Sequence, residues 1–161
     1  MSVNKDRPHV FVLPEDDANR QLANGFHLHV DFRPRQMMVL PEAGGWTRVL
    51  DLFEAVHVAE LERHPPRFMI LLIDFDNNTN RIAHAKSRIP TALNNRVFVL
   101  GSLSEPERLR QSGMGSYEEI GRKMAQDCRD ETNETWGQHL LQHNATELDR
   151  LREEVRSIFF T

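Results

Sequence analysis

One cysteine, one tyrosine and two tryptophans stand among 161 residues, and each shortage excludes something. A lone Cys128 can neither close an internal disulfide nor supply a multi-cysteine zinc site. The longest apolar run is Phe68-Met-Ile-Leu-Leu-Ile73, far short of the roughly 20 residues a membrane-spanning helix needs. The opening Met1-Ser-Val-Asn-Lys-Asp-Arg-Pro8 lacks the apolar stretch of a secretory leader. A cytoplasmic protein with no membrane partner is the expectation. A basic excess is missing too: the formal charge is −4. Residues 1–100 hold 12 basic and 12 acidic side chains and the remainder 8 and 12, so the surplus acid lies in the C-terminal third. A nucleic-acid partner would therefore have to be held locally or through a metal ion. What is present, 39% hydrophobic and 27% charged residues, suits a single domain with a sizeable core.

Short apolar runs alternate with helical patterns. His9–Leu13 reads as a strand that Pro14 ends, because proline has no N–H for the ladder. Asp16–Gly25 reads as a helix with Ala18, Leu22 and Ala23 on one face and Gly25 as its C′ residue. Gln36–Leu40 is a second strand, and Trp46–Arg63 has helical apolar spacing before Pro65-Pro66. Phe68–Ile73 is apolar without alternation, as in a strand buried on both faces. Ile82–Leu93 reads as a helix interrupted by Pro90, and Val97–Leu100 as a fourth strand. Ser104–Glu107 and Ser116–Glu119 have capping-box spacing. Asn144–Glu147 can cap a last helix with Leu148, Leu151, Val155 and Ile158 on one side. The expectation is a Rossmann-like α/β sandwich over residues 9–100, with a mainly parallel sheet in the order 2-1-3-4, followed by a helical C-terminal extension over 101–161. Val-Leu-Pro-Glu occurs at 12–15 and at 39–42, in each case where an apolar run ends.

In such sheets ligands sit beyond the carboxyl ends of the strands. Carboxylates follow three of the four: Glu15, Asp16 and Asp17 after the first, Asp74 and Asp76 after the third, Glu105 and Glu107 after the fourth. If the first and third strands are neighbours, Glu15, Asp74 and Asp76 converge. Converging carboxylates raise one another's pKa values, and a hard divalent cation relieves that. Asp16, Asp17, Glu105 and Glu107 also fit plain helix-capping roles.

The order of these features resembles the Toprim domain of topoisomerases, primases, OLD-family nucleases and small recombination-repair proteins. The resemblance is carried by a strand ending at Glu15, the turn Ala43-Gly44-Gly45 after the second strand, and Asp74-Phe-Asp76 after the third. It covers about residues 9–100. It implies that Asp74 and Asp76 bind Mg²⁺ or Mn²⁺ with Glu15 as ligand or general base, and that Glu105 or Glu107 completes a second metal site, as in the OLD-like members. The implied activity is phosphodiester chemistry on DNA or RNA by a small nuclease. Gly44, Gly45 and Arg48, at a helix start that favours anions, are the phosphate candidates. Three positions depart from the pattern: Asp16 where many members have glycine, Asn19 where OLD-like members often have an acid, and Pro14 before the Glu. Tyr117, the one tyrosine, lies outside the α/β part, which argues against a covalent tyrosine step. No zinc-binding or helicase-contact segment supports a primase.

A second class is a non-enzymatic module acting through protein contacts, either a degenerate Toprim or a receiver-like domain. Val12–Arg20 resembles the start of a receiver, with Asp16, Asp17 and Asp74 in the acidic roles, but the Met-Pro-Gly and Lys-Pro features are missing. His27-Leu-His29-Val-Asp31 is similar to a metallo-β-lactamase motif, with Phe32 where that motif has its next histidine. His139 and His143, four apart, could share a helix face, without the Glu of a zincin. Arg81, Lys86, Arg88 and Arg96 could receive a phosphate backbone, and Trp46 is placed to pack a helix on the sheet. The Leu148–Ile158 face, ending in Phe159-Phe160, could form a homodimer seam.

Overall fold

A computed structural model describes residues 3–160. Four parallel strands, β1 (His9–Pro14), β2 (Met37–Val39), β3 (Arg67–Leu72) and β4 (Val97–Leu100), form one sheet in the order β2-β1-β3-β4. Val10 is in register with Met37 and Phe68, and Ile70 with Phe98. The expected α/β architecture and strand order are therefore present. Because successive strand side chains face opposite ways, Val10, Val12, Ile70 and Phe98 enter one core while Phe11, Leu13, Met69 and Val99 enter another. Fully burying each such side chain is worth about 1.5–3 kcal/mol.

Helices cover both faces. On one side lie α2 (Trp46–Leu52), a single π turn at Phe53–His57, α3 (Val58–Arg63) and α4 (Asn80–Ser87). The other side holds α1 (Asp17–His27), α6 (Tyr117–Asp130) and α7 (Ala145–Phe159), with short α5 (Glu107–Gln111) just before α6. The C-terminal helices are thus most of one layer of the sandwich rather than an appendage. Leu148, Leu151, Val155, Ile158, Phe159 and Phe160 are buried in this core, so the face suggested as a dimer seam is used within the chain.

Several local expectations are corrected. Gly25 lies inside α1 and is no C′ residue; the C-cap is Leu28. Its role is close approach: a Cβ there would sit 2.1 Å from the Glu118 carbonyl oxygen, and one on Gly121 would sit 2.1 Å from that of Leu22. The two glycines let α1 and α6 cross almost backbone to backbone. Ile82–Leu93 is not one helix: α4 ends at Ser87, and a 3₁₀ turn, Thr91–Leu93, follows Pro90. The capping box at Ser116–Glu119 forms, whereas that at Ser104–Glu107 does not, since Pro106 is the cap of α5. Asn144 precedes α7 without capping it through its side chain, which instead spans Gly101 and Leu141. The segment between α6 and the 3₁₀ turn Gln142–Asn144 is made of turns, so His139 and His143 share no helix face.

Candidate functional site

At the exit of β1, Pro14 accepts from the Ala43 N–H, and the Glu15 N–H donates to the Leu72 carbonyl at 2.9 Å. Pairing with β3 thus continues one residue past the strand. Asp16 then caps α1, accepting from the Asn19 backbone N–H at 2.9 Å. Asp17 turns outward to Arg20 and Gln21, which removes it from the receiver-like arrangement. At the exit of β3 the chain stays extended through Phe75, whose N–H donates to Ser102 O. Asp76 and Asn77 then take left-handed conformations, with φ of 49° and 56°.

This geometry joins some of the expected acids and parts others. Glu15 Oε2 accepts from the Asp74 N–H at 2.6 Å, and Asn19 Nδ2 donates to both Asp16 Oδ1 (2.9 Å) and Asp74 Oδ1 (3.0 Å). Glu15, Asp16 and Asp74 therefore belong to one hydrogen-bonded unit on the two central strands. Asp76 does not join it. The left-handed turn aims its side chain into solvent, 75% exposed, with Arg81 Nη2 at 3.5 Å from Oδ2. The Asp-x-Asp residues would share a side only if the segment stayed extended to its end. Among the described residues no group of three or more His, Cys, Asp or Glu side chains is arranged to hold a metal ion.

Electrostatically the unit is short of positive charge. Burial pushes the Asp74 carboxyl up to about 7; Asn19 pulls it down, while Glu15, Asp16 and Glu107 push it further up. Burial also raises Glu15, against the Asp74 N–H that favours its charged form. Glu107 thus acts on Asp74 from the first turn of α5, but both it and Glu105 are exposed, and neither joins the hydrogen-bonded unit. Of the four basic residues considered for a phosphate backbone, only Arg81 reaches the site. It donates to Asp74 O at 2.9 Å and lies over the Trp46 ring, 4.5 Å from its centroid. Lys86 pairs with Glu147, Arg88 with Asp51 and Glu54, and Arg96 donates to the carbonyls of His64, Pro65 and Arg67.

Gly44 and Gly45 do not present their amides to a ligand. Both N–H groups donate to the Glu15 carbonyl, at 2.8 and 3.2 Å, with φ of 92° and 146°. This is a fold-back that only glycine makes without strain, and its effect is to fix the Glu15 backbone. Arg48 stays exposed beside Gly44. The other histidine motifs are structural. His29 meets Gln126 Oε1 at 2.6 Å and accepts from the Asp31 N–H, Asp31 pairs with Arg129, and His143 bonds the Gly101 carbonyl.

Asn19, marked in the sequence only as a departure from the OLD-like pattern, is the site residue whose role was missed there. It is fully buried, its amide nitrogen ties two acids together, and its Oδ1 has no hydrogen-bond partner among the described residues. It borders an apolar cavity of about 50 Å³ between the sheet and α1, α6 and α7. A signal existed: an amide on the buried face of a helix whose other buried positions are mainly apolar demands a polar partner. Compared with protein-family models, curated proteins and solved structures, the chain matches none.

Proposed function

We propose that the chain is a Toprim-like domain that performs Mg²⁺- or Mn²⁺-dependent phosphodiester chemistry on nucleic acid, as a small nuclease. One observation carries this reading: Glu15 and Asp74, at the exits of neighbouring central strands, are brought together, and burial there pushes the Asp74 carboxyl up to about 7. Carboxyl groups held so are hard oxygen donors, and a divalent cation would relieve their mutual repulsion. Asp74 and Glu15 would hold it, and Asp76 would contribute only after leaving Arg81. When bound, such an ion neutralises developing charge on phosphate and lowers the pKa of an attacking water. Glu15, raised above an ordinary carboxylate by burial, would serve as the general base. Asn19 keeps Asp74 in place through its amide hydrogens, and exposed Arg48 offers a charge to the phosphate backbone.

The test is an assay of the purified protein on labelled single- and double-stranded DNA and RNA with Mg²⁺, Mn²⁺ or EDTA. Metal-dependent cleavage is expected, with Glu15→Gln lowering turnover by about 10²-fold or more. Binding should hold in that variant and weaken in Arg48→Ala, with a shallower salt dependence. The second reading, a binding-only module, is favoured by Arg81, which already occupies Asp76 and the Asp74 carbonyl. Its sign would be binding of nucleic acid or protein without cleavage and unaffected by Glu15→Gln. Labelling by acetyl phosphate would point to the receiver-like variant instead.

A further inference from the structure

Arg81 reaches the acid-rich end of the sheet and is held there mainly by groups without charge. Its Nη1 donates to the Asp74 carbonyl at 2.9 Å, and its guanidinium carbon lies 4.5 Å from the Trp46 ring centroid. His84, three residues on in α4, meets the same indole at 5.5 Å in an edge-to-face arrangement. A main-chain carbonyl and a braced aromatic ring thus set the position and the plane of the guanidinium. Its charge has a looser partner: Nη2 stands 3.5 Å from Asp76 Oδ2.

That last contact joins a fixed group to a loose one. The Arg81 side chain is 19% exposed and that of Asp76 75%, and Asp76 projects from a left-handed turn. Among the described residues Asp76 meets no other cation. Lys86 and Arg88, from the same helix and its C-cap, meet their carboxylates at 3.0 Å or less. A long ion pair to an exposed carboxylate is weak and readily exchanged. Parting it frees two groups at once beside the Glu15–Asp74 pair: a planar donor that stays in place, and a carboxylate that does not yet belong to the acid unit.

We propose that Arg81 is the arm that receives a substrate phosphate: a phosphate oxygen of the nucleic acid replaces Asp76 on Nη2, and Asp76 passes to the divalent cation. The inference rests on the phosphodiester reading above and adds to it the residue that couples its two ligands. The Arg81–Asp76 pair is then a latch. Phosphate and cation each break it, so each tightens the binding of the other, reciprocally. Arginine suits the task better than lysine, because its flat fork keeps the ring and carbonyl contacts while offering N–H groups to phosphate.

The test uses the full chain and short fluorescein-labelled probes, oligothymidylate and oligouridylate, in EDTA so that no cleavage intervenes. Arg81→Gln should weaken binding by about tenfold and make its salt dependence shallower by about one phosphate contact, and Arg81→Lys should restore that salt dependence. Asp76→Asn should tighten binding by about fivefold when Arg81 is present and by less than about twofold in Arg81→Gln. With Mg²⁺ and no probe the sign reverses: calorimetry should show Arg81→Gln binding the ion more tightly, which the loss of a merely structural arginine does not produce. Circular dichroism and the melting temperature verify folding, and Asp76→Asn decides alone if Arg81→Gln does not fold. If the wild type binds only with Ca²⁺ present, the loss in Arg81→Gln there decides. Equal binding by folded Arg81→Gln, or the same Asp76→Asn gain with and without Arg81, overturns the latch; metal-dependent cleavage by the same wild type shows that the nuclease reading survives it. A wild type that binds neither probe under any of these conditions overturns both.

Discussion

At the N-terminal end of β1 and β3, Arg67 is buried among His9, Phe11 and Glu60. Its Nε donates to His9 Nε2 at 3.1 Å, its plane lies 3.9 Å from the Phe11 ring centroid, and Glu60 is 3.9 Å away. With Nε2 accepting, the proton of His9 sits on Nδ1 and is donated to Arg7 O at 2.7 Å. At the C-terminal end of the same strands, one neutral amide joins Asp16 to Asp74, Glu15 accepts from the Asp74 N–H, and the guanidinium of Arg81 attends to Asp76 and a carbonyl. One end satisfies its buried charge locally, as a stability element does; the other carries surplus negative charge that a ligand could neutralise. The C-terminal end is where open α/β sheets bind ligands, and it is the end that the proposed function uses.

The ends should answer acid in opposite directions. Asp74 has a folded-state pKa above its unfolded value. Its contribution is present below pH 4 and is lost as pH rises through about 7. Replacing it by asparagine should remove that loss. Asp74→Asn is expected to stabilise the metal-free protein at pH 8 by on the order of 4 kcal/mol, from a pKa displaced from 3.8 to about 7. The gain should vanish near pH 4, and urea unfolding across this range checks it. His9 is displaced the other way, held below its ordinary value first by burial and then by Arg67. Its contribution is present above pH 6.5 and lost as pH falls through the lowered value.

Breaking the satisfied end should cost stability instead. Arg67→Met removes the His9 bond and the stacking on Phe11 and should destabilise by about 3 kcal/mol. A loss below 1 kcal/mol would place the compensation elsewhere. Arg81→Gln sharpens the contrast from the other side. By releasing Asp76 it should enlarge the melting-temperature increase produced by Mg²⁺, and an unchanged increase would leave Asp76 outside any cation site. Asp17→Ala is the smallest change: the carboxylate is exposed and, among the described residues, pairs only with Arg20 and Gln21, so the melting temperature should not move.

The strand order and the placement of Glu15 beside Asp74 were legible because alternating apolar runs restrict the topology to a few forms. Asp76 was not: Asp and Asn tolerate the left-handed region better than other side chains, but the run Asp76-Asn77-Asn78 does not say which of them take it. The roles of Gly25 and Gly121 depend on α6, far along the chain, packing against α1, and that of Asn19 on Asp74, which the β1–β3 pairing brings beside it. Gly44 and Gly45 were correctly marked as a special turn, but its target, the Glu15 carbonyl, exists only once β2 lies beside β1.

The central claim is that Asp74 sits in an uncompensated carboxylate site open to a divalent cation. A ¹³C titration of the side-chain carboxyl groups, without and with Mg²⁺, tests it most directly. The account predicts an Asp74 midpoint near 7 that falls when Mg²⁺ is added, with Glu15 shifting in the same direction. An Asp74 midpoint near 4, unmoved by Mg²⁺, would contradict it.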